Sequence, residues 1–266
     1  MLKTSTLVCV ALGALLSTAR ADPEPTAQLT LPRGRVLLDA FLEINLSDGL
    51  AGKPISLSPD VWYGATDELT VGLVHSSLGT TGFIGGVGQA LCLSGDANGC
   101  DGVYPGAGVE VRYKLKPREF AWAVSGGLYA QDFDPLQLAI KLGAVGRWEQ
   151  GKLAVELAPS LFVGFTHRDV DLANNVLRSN GETLLVPVTG FYTVAPKIAV
   201  ALQLGLVLPF EHTGDNYAVP VSISGHYQID NSASVNLALA LPRLVAGSPL
   251  DGVDARSITL GGTYAF

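Results

Sequence analysis

The sequence predicts an all-β fold: a transmembrane, antiparallel, up-and-down β-barrel of about twelve strands. Short segments of alternating apolar and polar residues, connections that alternate between short and long, and aromatic rings gathered at one end of the strands carry that prediction. The alternation is plain in "IAVALQLGL", where Ile198, Val200, Leu202, Leu204 and Leu206 share one face and Ala199, Ala201, Gln203 and Gly205 the other. "LAVELAPSLFVGF" repeats it, with Leu153, Val155, Leu157, Pro159, Leu161, Val163 and Phe165 set against Ala154, Glu156, Ala158, Ser160, Phe162 and Gly164.

Candidate strands run near 35–46, 56–66, 69–76, 106–115, 119–129, 137–149, 153–165, 183–193, 197–208, 217–228, 233–241 and 255–266. Most reach or exceed the roughly 9–11 residues that a tilted membrane strand requires. A soluble sandwich strand alternates too, so the connections have to decide. Those around Asp67-Glu68, Lys116-Pro117-Arg118, Gln150-Gly151-Lys152, Ala195-Pro196 and Asp230-Asn231-Ser232 are short, whereas 47–55, 77–105, 130–136, 166–182, 209–216 and 242–254 are mostly longer. Tight turns at one end and long loops at the other are the pattern of a membrane barrel. The rings agree. Tyr63, Tyr113, Phe120, Trp122, Trp148, Tyr192, Tyr227, Tyr264 and Phe266 lie near the ends joined by short turns, while Phe165 and Tyr217 sit by the long loops. Amphipathic rings collect where hydrocarbon meets water.

The first residues, "MLKTSTLVCVALGALLSTARA", begin with basic Lys3, continue uncharged from Leu7 to Leu16 and close on Ala19-Arg20-Ala21. This predicts a secretory signal peptide over 1–21, because an apolar run of about ten residues is half the length a spanning helix needs. The mature chain would have 245 residues (266 minus 21), and loss of Lys3 and Arg20 would take the net charge from −7 to −9. So acidic a chain offers no basic surface for phosphates, which excludes nucleic acid as a partner. The strand-turn rhythm runs unbroken from residue 35 to the end and predicts a single barrel domain over 35–266. Cys92 and Cys100, in "CLSGDANGC", close a short polar loop and read as a disulfide in an exported chain. The same stretch lacks the ligand spacing of a calcium loop. No metal site or cofactor is expected.

The last stretch, "SITLGGTYAF", alternates to its final residue, with Ile258, Leu260, Gly262, Tyr264 and Phe266 on one face. With these features together, the chain resembles a bacterial outer-membrane β-barrel protein, porin-like, over essentially its whole mature length. The terminal strand resembles the signal such proteins present to the barrel-assembly machinery, with Tyr264 and Phe266 as its marks. The resemblance implies a Gram-negative outer membrane, contact with its lipid and lipopolysaccharide, and a short periplasmic N-terminal segment over 22–34.

Inward positions carry the charges Asp39, Glu43, Asp60, Glu110, Arg112, Lys114, Lys141, Arg147 and Glu156 among many Ala, Gly and Ser. Interior width grows with strand number, and eight strands are about filled by side chains. Twelve lined by small residues predict a narrow passive channel for small solutes. Acidic residues outnumber basic ones in the long loops, which predicts a weak cation preference. Three other readings stand beside it. The lumen charges, Arg147 and Glu156 among them, could pair diagonally and plug the barrel. The loop 77–105 could be an adhesive display or an inward constriction. "VHSSLG" places His75 and Ser77 on the outward face, similar to the His/Ser pair of outer-membrane lipid hydrolases, but without a carboxylate or amide at matching height to orient the base.

Overall fold

The computed structural model describes residues 29–47, 55–76, 91–94, 104, 106–115, 120–134, 136–166, 180–210, 213–247 and 252–266. The expected signal peptide, Ser77, Cys100 and most of the loop 77–105 lie outside the described residues. The strands are β1 (Val36–Asn45), β2 (Ile55–Gly64), β3 (Leu69–Val74), β4 (Leu91–Cys92), β5 (Ala107–Lys114), β6 (Ala121–Phe133), β7 (Leu136–Gln150) and β8 (Leu153–Leu157). They continue as β9 (Ser160–Gly164), β10 (Thr183–Leu185), β11 (Val188–Ala195), β12 (Ile198–Leu204), β13 (Val207–Pro209), β14 (Ala218–Gln228), β15 (Ala233–Ala246) and β16 (Ser257–Ala265). β8 with β9, β10 with β11 and β12 with β13 each make one crossing, and β4 is a short addition to β2, so the wall is a closed antiparallel barrel of twelve strands.

Closure is made by the two ends of the chain. β1 pairs with β16 from Leu37↔Ala265 to Asn45↔Ser257. Beyond the ladder, Val36 N–H donates to the Phe266 carbonyl at 2.9 Å and Phe266 N–H to the Val36 carbonyl at 3.0 Å. The last residue is therefore hydrogen-bonded, which is why the alternating pattern persists to Phe266. A helix satisfies its backbone by itself, but a sheet in hydrocarbon must close on itself.

Residues of opposite parity face opposite media. Leu202, Leu204, Ile223 and Leu237 point outward and are about half exposed, whereas Ala201, Ser222 and Ser234 on the same strands are buried. An apolar band this continuous exceeds what a soluble monomer exposes and matches a hydrocarbon surround. The expected ring belt is in place: Tyr63, Tyr113, Phe120, Trp122, Tyr192, Tyr227, Tyr264 and Phe266 are all exposed on the outer surface.

Two features differ from the expectation. Residues 130–136 are mostly strand: β6 continues through a bulge between Ala130 and Asp132, and only a tight turn separates it from β7. Similarly, β15 runs on to Ala246, with β14 shifting register between Val219 and Val221. Asp132, Asp134 and Pro135 read as loop residues, but a bulge absorbs a polar insertion without ending a strand.

Three crossings are also interrupted at one level. Ala158, Pro187, Gly205 and Pro220 fall in one row, because Leu157 pairs with Val188, Val188 with Leu204 and Leu204 with Val221. Pro187 and Pro220 have no N–H to give. Their carbonyls still accept, from Ala158 at 3.1 Å and from Gly205 at 2.9 Å, so the wall stays continuous with fewer bonds.

Some glycines are seats for rings. Gly72 lies directly opposite Trp62, and a Cβ there would run into the indole. Gly262, on the outward face of β16, has open space around it. Gly72→Val is expected to destabilise the barrel by about 1–3 kcal/mol through overpacking, while Gly262→Val leaves it unchanged. The check is the temperature at which each variant loses its compact mobility on a heat-modifiability gel.

Candidate pore lining

One row of inward positions organises the charged side of the lumen. Following the registers around the wall, Leu37 is opposite Trp62, Trp62 opposite Gly72, Gly72 opposite Glu110, Glu110 opposite Gly127, Gly127 opposite Lys141 and Lys141 opposite Phe162. Large and small alternate. Neighbouring strands lie about 4.8 Å apart, so Lys141 and Glu110 are two strand spacings from each other with only Gly127 between. The absent side chain leaves the gap through which Lys141 Nζ reaches Glu110 Oε2 at 2.7 Å. A Cβ at Gly127 would come within 2.7 Å of the Val109 carbonyl and 2.8 Å of the Tyr129 ring.

Glu110 is the hub. It is 1% exposed, and its carboxylate also accepts from Arg112 Nε at 2.9 Å and from the Tyr129 hydroxyl at 2.5 Å. Arg112 follows Glu110 by two residues on β5, which puts both side chains on the same face. Its guanidinium lies 3.9 Å from the centre of the Trp62 ring, and Lys141 Nζ lies 5.8 Å from both the Tyr129 and Phe162 rings. Such contacts favour cations beside aromatic faces. A charge this deeply buried is tolerable only when paired and fully hydrogen-bonded, and Glu110 is both.

A second cluster sits toward the short turns. Arg147 and Glu156 are directly opposite on β7 and β8, not diagonal, with Nη1 to Oε2 at 3.3 Å. Arg147 Nε also reaches Glu149 at 2.7 Å, and the guanidinium stands 5.2 Å from the Phe191 ring. Across from it His226 Nε2 is 2.9 Å from Ser224 Oγ and meets Phe191 edge-on.

Of the nine lumen candidates, Glu110, Arg112, Lys141, Arg147 and Glu156 line one cavity of about 310 Å³. Its other wall is neutral and polar, with Thr189, Gln203, Ser222, Ser224 and Asn236. Asp39, Glu43 and Asp60 are buried on the inner face of β1 and β2 but do not line it. Asp39 faces Asp60 across one strand pair and Thr263 across the other, while Glu43 faces Thr259. Asp60 accepts from the backbone N–H groups of His75 at 2.7 Å and Ser76 at 3.0 Å, and from the Ser76 hydroxyl. Lys114 is half-buried at the short-turn end of β5.

The lumen is narrower than small residues alone predict. Phe41, Trp62, Tyr129, Phe162 and Phe191 point inward, Phe41, Phe162 and Phe191 line the cavity, and the glycines opposite Trp62 and Tyr129 are occupied by those rings. The sequence signal for them is a ring two residues from a charged or small inward position. The chain ahead of β1 narrows it further. Leu29, Thr30 and Leu31 are buried; Leu31 N–H donates to Thr70 Oγ1 at 2.7 Å, and Leu29 lines the same cavity. Leu31 packs with Leu37 and Trp62.

His75 is not on the outward face. It is 4% exposed, one ring nitrogen faces the Pro59 carbonyl and the other the Tyr104 hydroxyl at 2.7 Å. β3 ends at Val74, and the chain turns in over Asp60, which removes the parity that put His75 outward. Both nitrogens are engaged, so the ring is not placed to activate a serine. Cys92 is buried on β4 opposite Ser56; Cys100 lies outside the described residues.

No protein-family model and no curated protein sequence matches the chain. Solved structures do share its fold. The NanC porin superposes with a TM-score of 0.57 at 10% identity, covering 85% of this chain and 98% of that one. An outer membrane channel from Pseudomonas putida F1 gives 0.58 at 14%, covering 94% and 100%. The KdgM porin, in complex with disordered oligogalacturonate, gives 0.55 at 10%, covering 86% and 99%. At these identities the likeness establishes the barrel fold alone.

The hub has a measurable cost of removal. Lys141→Met is expected to destabilise the barrel by about 1.5–3 kcal/mol, the usual value of a hydrogen bond to a charged group. Lys114→Met should stay within about 0.5 kcal/mol. Urea unfolding of both variants in lipid vesicles, followed by tryptophan fluorescence, makes the comparison.

Proposed function

We propose that the protein is a narrow passive channel for small hydrophilic solutes in a bacterial outer membrane, with its short turns and N-terminus on the periplasmic side. The single observation that carries this reading is the cavity of about 310 Å³ inside a closed barrel, charged on one wall and neutral polar on the other. A lumen meant only as a scaffold has no need of such a lining, and its volume is at the small end of solute sites. The shared fold with porins supports the same reading. Tyr264 and Phe266 at the closing strand serve recognition by the assembly machinery, and the outer surface meets lipid and lipopolysaccharide. Cys92 and Cys100 form the disulfide of the loop between β3 and β5.

A weak cation preference follows from charge. The acidic residues of the connections carry it, and only at low ionic strength, where the field of charges in open solvent reaches the mouth of the lumen. Asp134 and Asp254, both exposed, are among them. The chemistry is passage and not catalysis. The engaged His75 ring supports that choice.

Swelling of liposomes that hold the refolded mature protein tests the reading. Monosaccharides are expected to enter and larger oligosaccharides to be excluded. Deletion of residues 22–31, which takes Leu29 and Leu31 out of the lumen, is expected to raise the rate several-fold. A folded, heat-modifiable protein that admits no solute in either form would overturn the channel.

A further inference from the structure

We propose that Glu110, buried in the wall and out of solvent, sets the ion selectivity of the lumen, and that the acidic loops contribute only at low salt. The inference rests on the channel reading. It begins with where charge lies along the path. The cavity is lined by two carboxylates, Glu110 and Glu156, and by three cations, Arg112, Lys141 and Arg147. The waist thus holds one positive charge in excess, because Asp39, Glu43 and Asp60 lie off the cavity.

The side chains differ in what a passing ion meets. Arg112 and Glu156 are the most open, at 28% and 29% exposure, Arg147 and Lys141 are at 13% and 11%, and Glu110 is at 1%. Glu110 stands behind two cations and cancels much of their field. Arg112 spends Nε on Glu110 and rests its face on Trp62, which fixes the group in the wall. Gly127 and Gly72 on either side of Glu110 carry no side chain to interpose. Loss of the Glu110 charge therefore uncovers Arg112 and Lys141 together, and the excess rises from one to two.

Range decides between wall and loops. The Debye length is about 8 Å at physiological ionic strength and about 3 Å at 1 M salt. Asp134 and Asp254 are exposed to solvent and are screened accordingly. An ion in a cavity this narrow stays within a few ångströms of the wall, where low-dielectric surroundings preserve the field.

Reversal potentials across a planar bilayer under a potassium chloride gradient test the proposal with two variants of opposite sign. Glu110→Gln is expected to lower the cation-to-anion permeability ratio on the order of fivefold, taking the effect of one charge at about 8 Å as a two- to threefold change for each ion. Arg112→Gln is expected to raise it by a similar factor. Both variants loosen the same network, so a merely structural role would move both in one direction. Both shifts should persist near 1 M salt, whereas the change from Asp134→Asn with Asp254→Asn should vanish there. If Glu110→Gln does not fold, Arg112→Gln alone reads the predicted sign. Shifts in the same direction, or none in a conducting channel, overturn the proposal by itself. A silent wild-type barrel overturns the channel reading along with it.

Discussion

Backbone closure is the constraint on which the rest depends. A sheet inside hydrocarbon cannot leave an edge, because each unpaired N–H or C=O has no water to turn to. The chain meets this by returning its final strand to its first, down to the reciprocal bonds between Val36 and Phe266. Closure fixes the parity of every residue. Leucine, valine and ring side chains go to lipid, and the opposite row is left to build a lumen.

The interior then divides into two unlike walls. On the side from β2 to β9, ion pairs on aromatic faces cross the ladder: Glu110 with Lys141 and Arg112, and Arg147 with Glu156. On the other side Pro187 and Pro220 thin the ladder, and the inward residues are hydroxyls, amides and alanines. The ion pairs are thus gathered on one wall, and the other is neutral. Glycine joins the two levels of organisation. At Gly72 it seats Trp62, and at Gly127 it opens the space in which a lysine and a glutamate meet across an intervening strand.

Much of this was legible. Period-two alternation, the sorting of short and long connections and the belt of rings each report a local rule, and the exceptions are local too: the short connection between β6 and β7 and the inward turn at His75. Parity puts Glu110, Arg112, Lys141, Arg147 and Glu156 in the inward row, and these five line the cavity. Other features depend on distance between strands, which one sequence does not state. The registers that make Arg147 and Glu156 direct partners, or that place Gly127 between Glu110 and Lys141, are fixed only by closure. Alternation alone puts Phe162 on the inner face, but Phe41, Trp62, Tyr129 and Phe191 are not legible to a rule that seeks rings on the apolar face, and glycines opposite Trp62 and Tyr129 make room for those rings inside. His75 escaped because its strand ends one residue earlier. Leu29 and Leu31 escaped because a proline-rich leader to a barrel reads as solvent-exposed chain, and only their burial against Thr70 and Trp62 reveals the narrowing.

The central claim is that the lumen is open to small ions despite its ring-filled wall. Single-channel recording of the refolded mature protein in a planar bilayer tests it most directly. Discrete, small, uniform conductance steps that do not depend on the sign of the applied voltage are the result this account predicts. A barrel that inserts, shifts on heating as a folded one does, and passes no resolvable current would contradict it, and the charged row would then be a plug that holds the wall together.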